Sequence, residues 1–215
     1  MQGALHDNIS ASIDMFFKMG RNEQFTVDTT TNSTVFSSPA LKQYDAVVFS
    51  NTNDKVFDEQ EEKEGLIQYV RSGKGFMGVH SAATTENEWE WFKQLIGCAF
   101  DFHPPFQAFT VRVVDNSHPS TSDSPMLWTV KDELYVMKEL NPTIRILMVS
   151  DFSDPDFISP IPMPNTFGKI FPCVWCNTFD GGRQWYTALG HDKNDYTNPV
   201  FFNHILGGLK WIIRN

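Results

Sequence analysis

A short run of apolar and small residues that ends abruptly on a histidine limits what this chain can become: Gly75-Phe76-Met77-Gly78-Val79-His80-Ser81-Ala82. Lys74 to Val79 has the unbroken apolar character of a strand covered on both faces, and the segment after it, through Leu95, has the character of a helix. A polar side chain where a strand turns into a helix stands at the carboxyl edge of an α/β sheet, the usual place for chemistry in such folds. The chain is therefore expected to fold so as to present His80. The plain alternative is an imidazole bonded to a backbone carbonyl simply to hold the turn.

The flanking pattern supports the same class. Asp7 or Asn8 caps a first helix, with Ile9, Ile13, Phe16 and Phe17 on one face and Gly20 as its stop. Phe25 to Thr29 reads as a short strand and Tyr44 to Ser50 as a continuous apolar one. Asp58 opens a second helix with Glu59, Glu61 and Glu62 in its first turn, and Ser72-Gly73 ends it. Helices alternating with apolar strands predict a doubly wound, mostly parallel sheet. Only Met1 to Leu5 precede the first helix, so the opening strand is apparently missing.

Beyond Leu95 come an aromatic loop, Phe100 to Gln107, and strands at Phe109 to Val114, Trp128 to Tyr135 and Ile144 to Val149. Asp151 to Pro172 is a long surface excursion. Val174 to Phe179 and Arg183 to Leu189 flank Asp180-Gly181-Gly182 as a C-terminal β-hairpin. A last helix runs from about Pro199, with Phe202, Ile205, Leu209 and Ile212 near one stripe. No repeat or linker divides the chain, so residues 1–215 are expected to form a single domain.

The totals narrow the function. With 215 residues the chain can bury one α/β core. Its 19 Phe, 6 Trp and 5 Tyr exceed what a core needs and leave rings to serve as platforms for sugars, though core packing is the commoner use. A net charge of -9 without clustered Lys or Arg argues against nucleic acid. No apolar run spans a membrane, and the N-terminus has no signal pattern. Three cysteines (Cys98, Cys173, Cys176) are too few and too odd for a disulfide framework, which points to a reducing, cytoplasmic setting. Cys173 and Cys176 have redox-pair spacing, but in a strand their side chains face opposite ways.

Gly78-Val79-His80-Ser81-Ala82, His103-Pro104, Asp132-Glu133-Leu134-Tyr135 and the stretch from Gly182 to His191 together resemble the ThuA-like (trehalose utilisation) family, from Leu5 to Trp211. The resemblance implies a class I glutamine amidotransferase-like, flavodoxin-like fold and a role in sugar metabolism. Two departures stand out: the family's opening strand is lacking, and Leu134 replaces a common aromatic. Glutamine amidotransferases carry a cysteine in the slot that His80 fills. Imidazole does not readily hold the acyl intermediate that a thiolate forms, so glutamine hydrolysis is not expected.

His80 suits proton transfer or metal binding. His103 and His191 stand in loops that could meet it, and three imidazoles around one cavity would suit zinc or another divalent ion. A metal-free polar pocket is the rival. Asp132 and Glu133 are adjacent, so in a strand only one enters the site; Glu133 is the choice, with Tyr135 two residues on. Gln107, Trp175, Arg183 and Tyr186 are candidate sugar contacts. His118 and His204 are expected to be structural. The expected partner is a small-molecule sugar, used in hydrolysis or elimination, with catalysis by His80, Glu133 and His191. A non-catalytic sugar-binding or regulatory module is the alternative, and a homo-oligomer is left open.

Overall fold

The computed structural model describes residues 7–213. The expectation about an opening strand concerns residues ahead of the first helix, mostly outside that range. Helix α1 (Ile9–Glu23) buries Met15, Phe16 and Met19 and runs past Gly20 to Glu23. Asn8 makes no side-chain cap bond to it, because its amide is turned inward towards the site. Phe25 to Thr29, expected as a strand, is irregular. The Phe25 N–H is taken by the Gly20 carbonyl, while Phe25 and Val27 rest against the core.

Strand β1 (Ala46–Ser50) is followed by helix α2 (Gln60–Arg71), which Glu59 and Glu62 open as a capping box in place of Asp58. Strand β2 (Gly75–Val79) is fully buried and leads into a 3-10 turn over His80–Thr84. The helix expected to continue to Leu95 is interrupted there, and α3 covers only Glu90–Ile96. The interruption has a cause in Glu86, whose backbone is left-handed (φ 50°). Its buried carboxylate accepts the Val56 and Phe57 N–H groups and pairs with Lys63 at 2.6 Å.

The remaining elements are β3 (Ala99–Phe102), β4 (Gln107–Val113), β5 (Leu127–Asp132), β6 (Val136–Lys138), β7 (Arg145–Asp151), β8 (Ile170–Phe179), β9 (Gly182–Thr187) and α4 (Pro199–Ile213). Seven strands form one sheet in the order β1-β2-β9-β8-β7-β4-β5, and β3 pairs with β6 as a separate ribbon. The mostly parallel sheet that was expected is corrected to a mixed one. Only β1, β2 and β9 are mutually parallel; β8, β7, β4 and β5 add on antiparallel. Chain connection explains the change: a parallel neighbour needs a long crossover, whereas β8 and β9 are joined by Asp180 and Gly181 alone. Both joining residues have positive φ, the geometry that matches strand twist in a two-residue link.

Alternate residues of β9 separate the two covered faces. Trp185 packs on α4, where Gly208 makes room; a Cβ there would come within 2.6 Å of the indole. Gln184 and Tyr186 face the other way, and Gln184 Nε2 donates to the Ile96 carbonyl at the end of α3. On that side Phe36, Phe49, Phe57, Phe76 and Phe92 form a continuous ring cluster. Among the described residues no helix is long and apolar enough to cross a membrane.

Candidate active site

β2 delivers His80 to the carboxyl edge of the three parallel strands, and the local backbone is forced there. His80 takes a left-handed conformation (φ 51°), which for a residue with a side chain costs roughly 1–3 kcal/mol. The Tyr186 hydroxyl holds the turn by donating to the His80 carbonyl at 2.8 Å. The ring itself is fully buried, with Nδ1 2.9 Å from the Ala188 carbonyl. A carbonyl can only accept, so Nδ1 carries the proton and the Nε2 lone pair is aimed at the site.

Three groups meet that nitrogen. The Tyr135 hydroxyl is 3.0 Å away, His191 Nδ1 3.3 Å and Glu133 Oε2 3.5 Å. Glu133 Oε2 is in turn 3.3 Å from His191 Nδ1. Burial works against the Glu133 charge, yet His191 and His80 beside it and the nearby His103 hold its carboxyl well below the usual range. The hydrogen bond with Glu133, opposed by partial burial, raises His191 above its ordinary value. Burial, then the charges of Glu133 and Asp132, keep Tyr135 protonated as a donor.

A second layer fixes His191. Gly190 has φ 115°, and a Cβ on it would lie 2.9 Å from the Tyr196 hydroxyl, so the turn after β9 admits only glycine. Asp132 accepts the Gly190 N–H at 2.8 Å and the His191 N–H at 3.2 Å. Burial raises its pKa, against His80 and these N–H groups. From the other side the Asn8 amide nitrogen is 2.7 Å from the Gly190 carbonyl and 2.9 Å from that of His191. Asn8 also donates to Asn51, and Asn51 donates to Tyr196.

His80, Glu133, His191 and Tyr135 thus converge as the sequence suggested, but other candidates do not. The third imidazole expected in a metal set, His103, is displaced by the Glu133 carboxylate. His103 Nδ1 sits 2.9 Å from the Pro104 carbonyl and 3.7 Å from Glu133, and its ring stacks on Tyr135. Trp175 and Tyr186 have no exposed surface and cannot stack a sugar; Trp175 is committed to the Ile96 carbonyl. Arg183 lies at the opposite end of β9, against Trp211. The Gln107 amide is spent on Ile158, donating at 2.7 Å and accepting at 2.8 Å, and so ties down the long excursion.

Of Asp132 and Glu133, only Glu133 puts its carboxylate in the cluster, while Asp132, where β5 ends, turns to the backbone of the Gly190 turn. Past the end of β5 strand alternation no longer applies. Asn8, Asn51, Tyr196 and Phe106 were not foreseen. Asn51 had a signal, since it follows an apolar strand just as His80 does. Phe106 is an exposed ring 5.3 Å from the His191 ring. A separate cleft of about 470 Å³, between the β3–β6 ribbon and Pro162, Pro164 and Phe167, contains none of the converging groups.

A fold much like this one occurs in solved structures. A putative ThuA-like protein from Bacteroides uniformis superposes with a TM-score of 0.81 at 21% identity, covering 99% of this chain and 88% of that one. Another from Parabacteroides merdae gives 0.76 at 20% identity, with 98% and 86% covered. A β-galactosidase from Rahnella sp. R3 gives 0.61 at 16% identity; it covers 96% of this chain but only 28% of the galactosidase, and the likeness is one of fold. No curated protein matches the sequence. The family model for trehalose utilisation, ThuA, matches residues 1–212, and the chain belongs to that family.

Proposed function

We propose that this protein is an enzyme of carbohydrate metabolism that transfers protons on a disaccharide or keto-sugar, in hydrolysis or elimination. The observation that carries this reading is the convergence of His80 Nε2, His191 Nδ1 and Glu133 Oε2 within 3.5 Å of one another at the carboxyl edge of the parallel strands. The family's description, trehalose utilisation, supplies the substrate class. Groups of this kind suit acid/base work, because an imidazole lone pair aimed into the site and a second imidazole whose pKa is raised beside it can divide the two proton transfers. In an elimination, His80 Nε2 takes a proton from the carbon next to a sugar carbonyl, the C–O bond two atoms away breaks, and His191 returns a proton to the departing oxygen. In a hydrolysis the same pair serves an attacking water and the leaving oxygen.

Glu133 raises the pKa of His191 through their hydrogen bond, and Tyr135 steadies the His80 ring. Phe106, exposed beside His191, offers a face for a pyranose to stack on. A binding module without chemistry would rest on accessible aromatic platforms, and burial takes Trp175 and Tyr186 away from that reading. The proposal includes a flavodoxin-like parallel half with a C-terminal β-hairpin, one domain and a cytoplasmic small-molecule sugar as partner. A panel of disaccharides and their keto derivatives tests it. His80→Ala should lower kcat by about 10²–10⁴-fold while sugar affinity survives. Turnover by His80→Ala at the native rate would end the reading, as would a native protein that binds a sugar of the panel and never converts it.

A further inference from the structure

We propose that His80 Nε2, His191 Nδ1 and Glu133 Oε2 are the protein ligands of a zinc-type divalent ion, with a fourth position open towards His103 and solvent. The proposal rests on the same site as the acid/base reading; a bound ion would take the His80 and His191 lone pairs as ligands, so the proton transfers would pass to the water it holds. Its first support is metric. The three atoms form a triangle with edges of 3.3, 3.3 and 3.5 Å. In a tetrahedron the edge is about 1.63 times the metal–ligand distance, so these edges correspond to arms of roughly 2.0–2.1 Å, the range of zinc with imidazole and carboxylate. An octahedral face has an edge only about 1.41 times the arm and would demand roughly 2.3–2.5 Å, too long for magnesium at its usual ~2.1 Å. Calcium tolerates such lengths but takes oxygen ligands, and two of these three are nitrogens.

The second support is the direction of the lone pairs. The Ala188 carbonyl commits the His80 proton to Nδ1 and turns Nε2 inward. That is the outer-layer bond by which metal-binding histidines are oriented. Without a cation the three atoms depend, edge by edge, on shared protons and on the Tyr135 hydroxyl. A cation at the centre faces all three. Asp132 completes the arrangement from behind by holding the His191 backbone. Access is also suitable: the His191 side chain is 31% exposed and that of Glu133 13%, so the open position reaches solvent while His80 does not.

The ion would supply a polarised water, or a site for a sugar oxygen, next to Tyr135. The Tyr135 hydroxyl, now 3.0 Å from Nε2, would pass its hydrogen bond to Glu133 or to that water.

Chelator-stripped full-length protein, titrated with zinc and followed by calorimetry and elemental analysis after gel filtration, tests the proposal. One equivalent is expected, and cobalt in its place should give the intense visible bands of a four-coordinate ion. Glu133→Gln and His191→Ala should each weaken zinc by more than the about 100-fold that an outer partner is worth. His103→Ala should keep one equivalent, and circular dichroism checks that each variant is folded. Substoichiometric zinc on the native protein overturns the proposal, as does an affinity that His191→Ala and Glu133→Gln leave unchanged. Sugar turnover that persists in the chelator without zinc removes the ion and keeps the acid/base reading. Stoichiometric zinc on a protein that turns over no sugar does the reverse.

Discussion

Two pairs of histidines flank the end of β9, and the fold uses them in opposite ways. His80 and His191 stand at the strand's carboxyl edge with Glu133 between them. His204, on the buried face of α4, and His118, packed under that helix against Trp211, are each 1% exposed and are answered by neutral groups. His204 Nδ1 is 2.8 Å from the Ser120 carbonyl and its Nε2 3.3 Å from the Thr187 hydroxyl. His118 Nδ1 accepts the Ser120 N–H at 3.1 Å, and its ring rests against Trp211. Among the described residues neither ring has a carboxylate at ion-pair distance, whereas His80, His103 and His191 all share Glu133. Burial pushes His118 and His204 down to about 4, while Glu133 raises His191. The lesson is that an imidazole in this sheet becomes a candidate for chemistry only where a carboxylate accompanies it and a neighbour in the cluster, here His191, reaches solvent.

The largest effect that would break this comparison comes from removing its acid. Glu133→Gln should cut kcat on a converted sugar by about 10²–10⁴-fold, with the fold intact by circular dichroism. In metal-stripped protein the same change should bring the His191 titration, followed by NMR, back down towards an ordinary imidazole value. An unmoved His191 would mean that the carboxylate does not control it.

Next in size is acid stability, where the two pairs should have opposite signs. The folded pKa of His118 and His204 lies below the ordinary 6.5, so their contribution to stability is complete above about 6.5 and is lost as the pH falls towards 4. For His204 a shift of that size amounts to on the order of 3 kcal/mol. The urea midpoint should therefore fall across that window, and His204→Gln should flatten the slope. The His191 contribution runs the other way: its folded pKa is raised, so it is full below about 6.5 and lost as the pH rises through the folded value. A midpoint that does not change between pH 7 and 4 would contradict the neutral burial of the α4 pair.

Smaller effects sharpen the comparison. Asp132 accepts the His191 backbone N–H from behind the cluster, so Asp132→Asn should lower kcat by about 10–100-fold, as outer partners do, with substrate affinity little changed. A loss as large as that of Glu133→Gln would promote Asp132 from positioning to direct chemistry. Least of all, Tyr135→Phe keeps the ring packing and removes one hydrogen bond to His80, worth about 0.5–1.5 kcal/mol, or roughly tenfold or less in rate.

How much of this was legible beforehand differs by residue. His80 was visible because an apolar strand cannot end on a polar side chain inside a covered sheet without placing that side chain at the edge. His191 was visible through Gly190, whose conformation marks a sharp turn. Glu133 was chosen over Asp132 on strand alternation, yet both serve the site, because β5 ends between them. Trp175 and Tyr186 looked like sugar platforms by type alone. Their burial follows from β8 and β9 being interior strands of the sheet, a matter of strand order. Apart from the hairpin expected around Asp180-Gly181-Gly182, the antiparallel half of the sheet was likewise hidden, since apolar strands resemble one another whichever way their neighbours run.

Local pattern along the chain thus determined the α/β class, the parallel strands β1 and β2, the His80 turn and the aromatic core, because periodicity and turn chemistry act over a few residues. Tertiary structure alone decided that Glu133, rather than His103, would stand between His80 and His191, and that Asn8 and Asp132 would brace the Gly190 turn from opposite sides. Those contacts join residues 53 to 182 positions apart. Distances of that kind depend on strand order and crossover direction, for which no stretch of neighbouring residues carries a record.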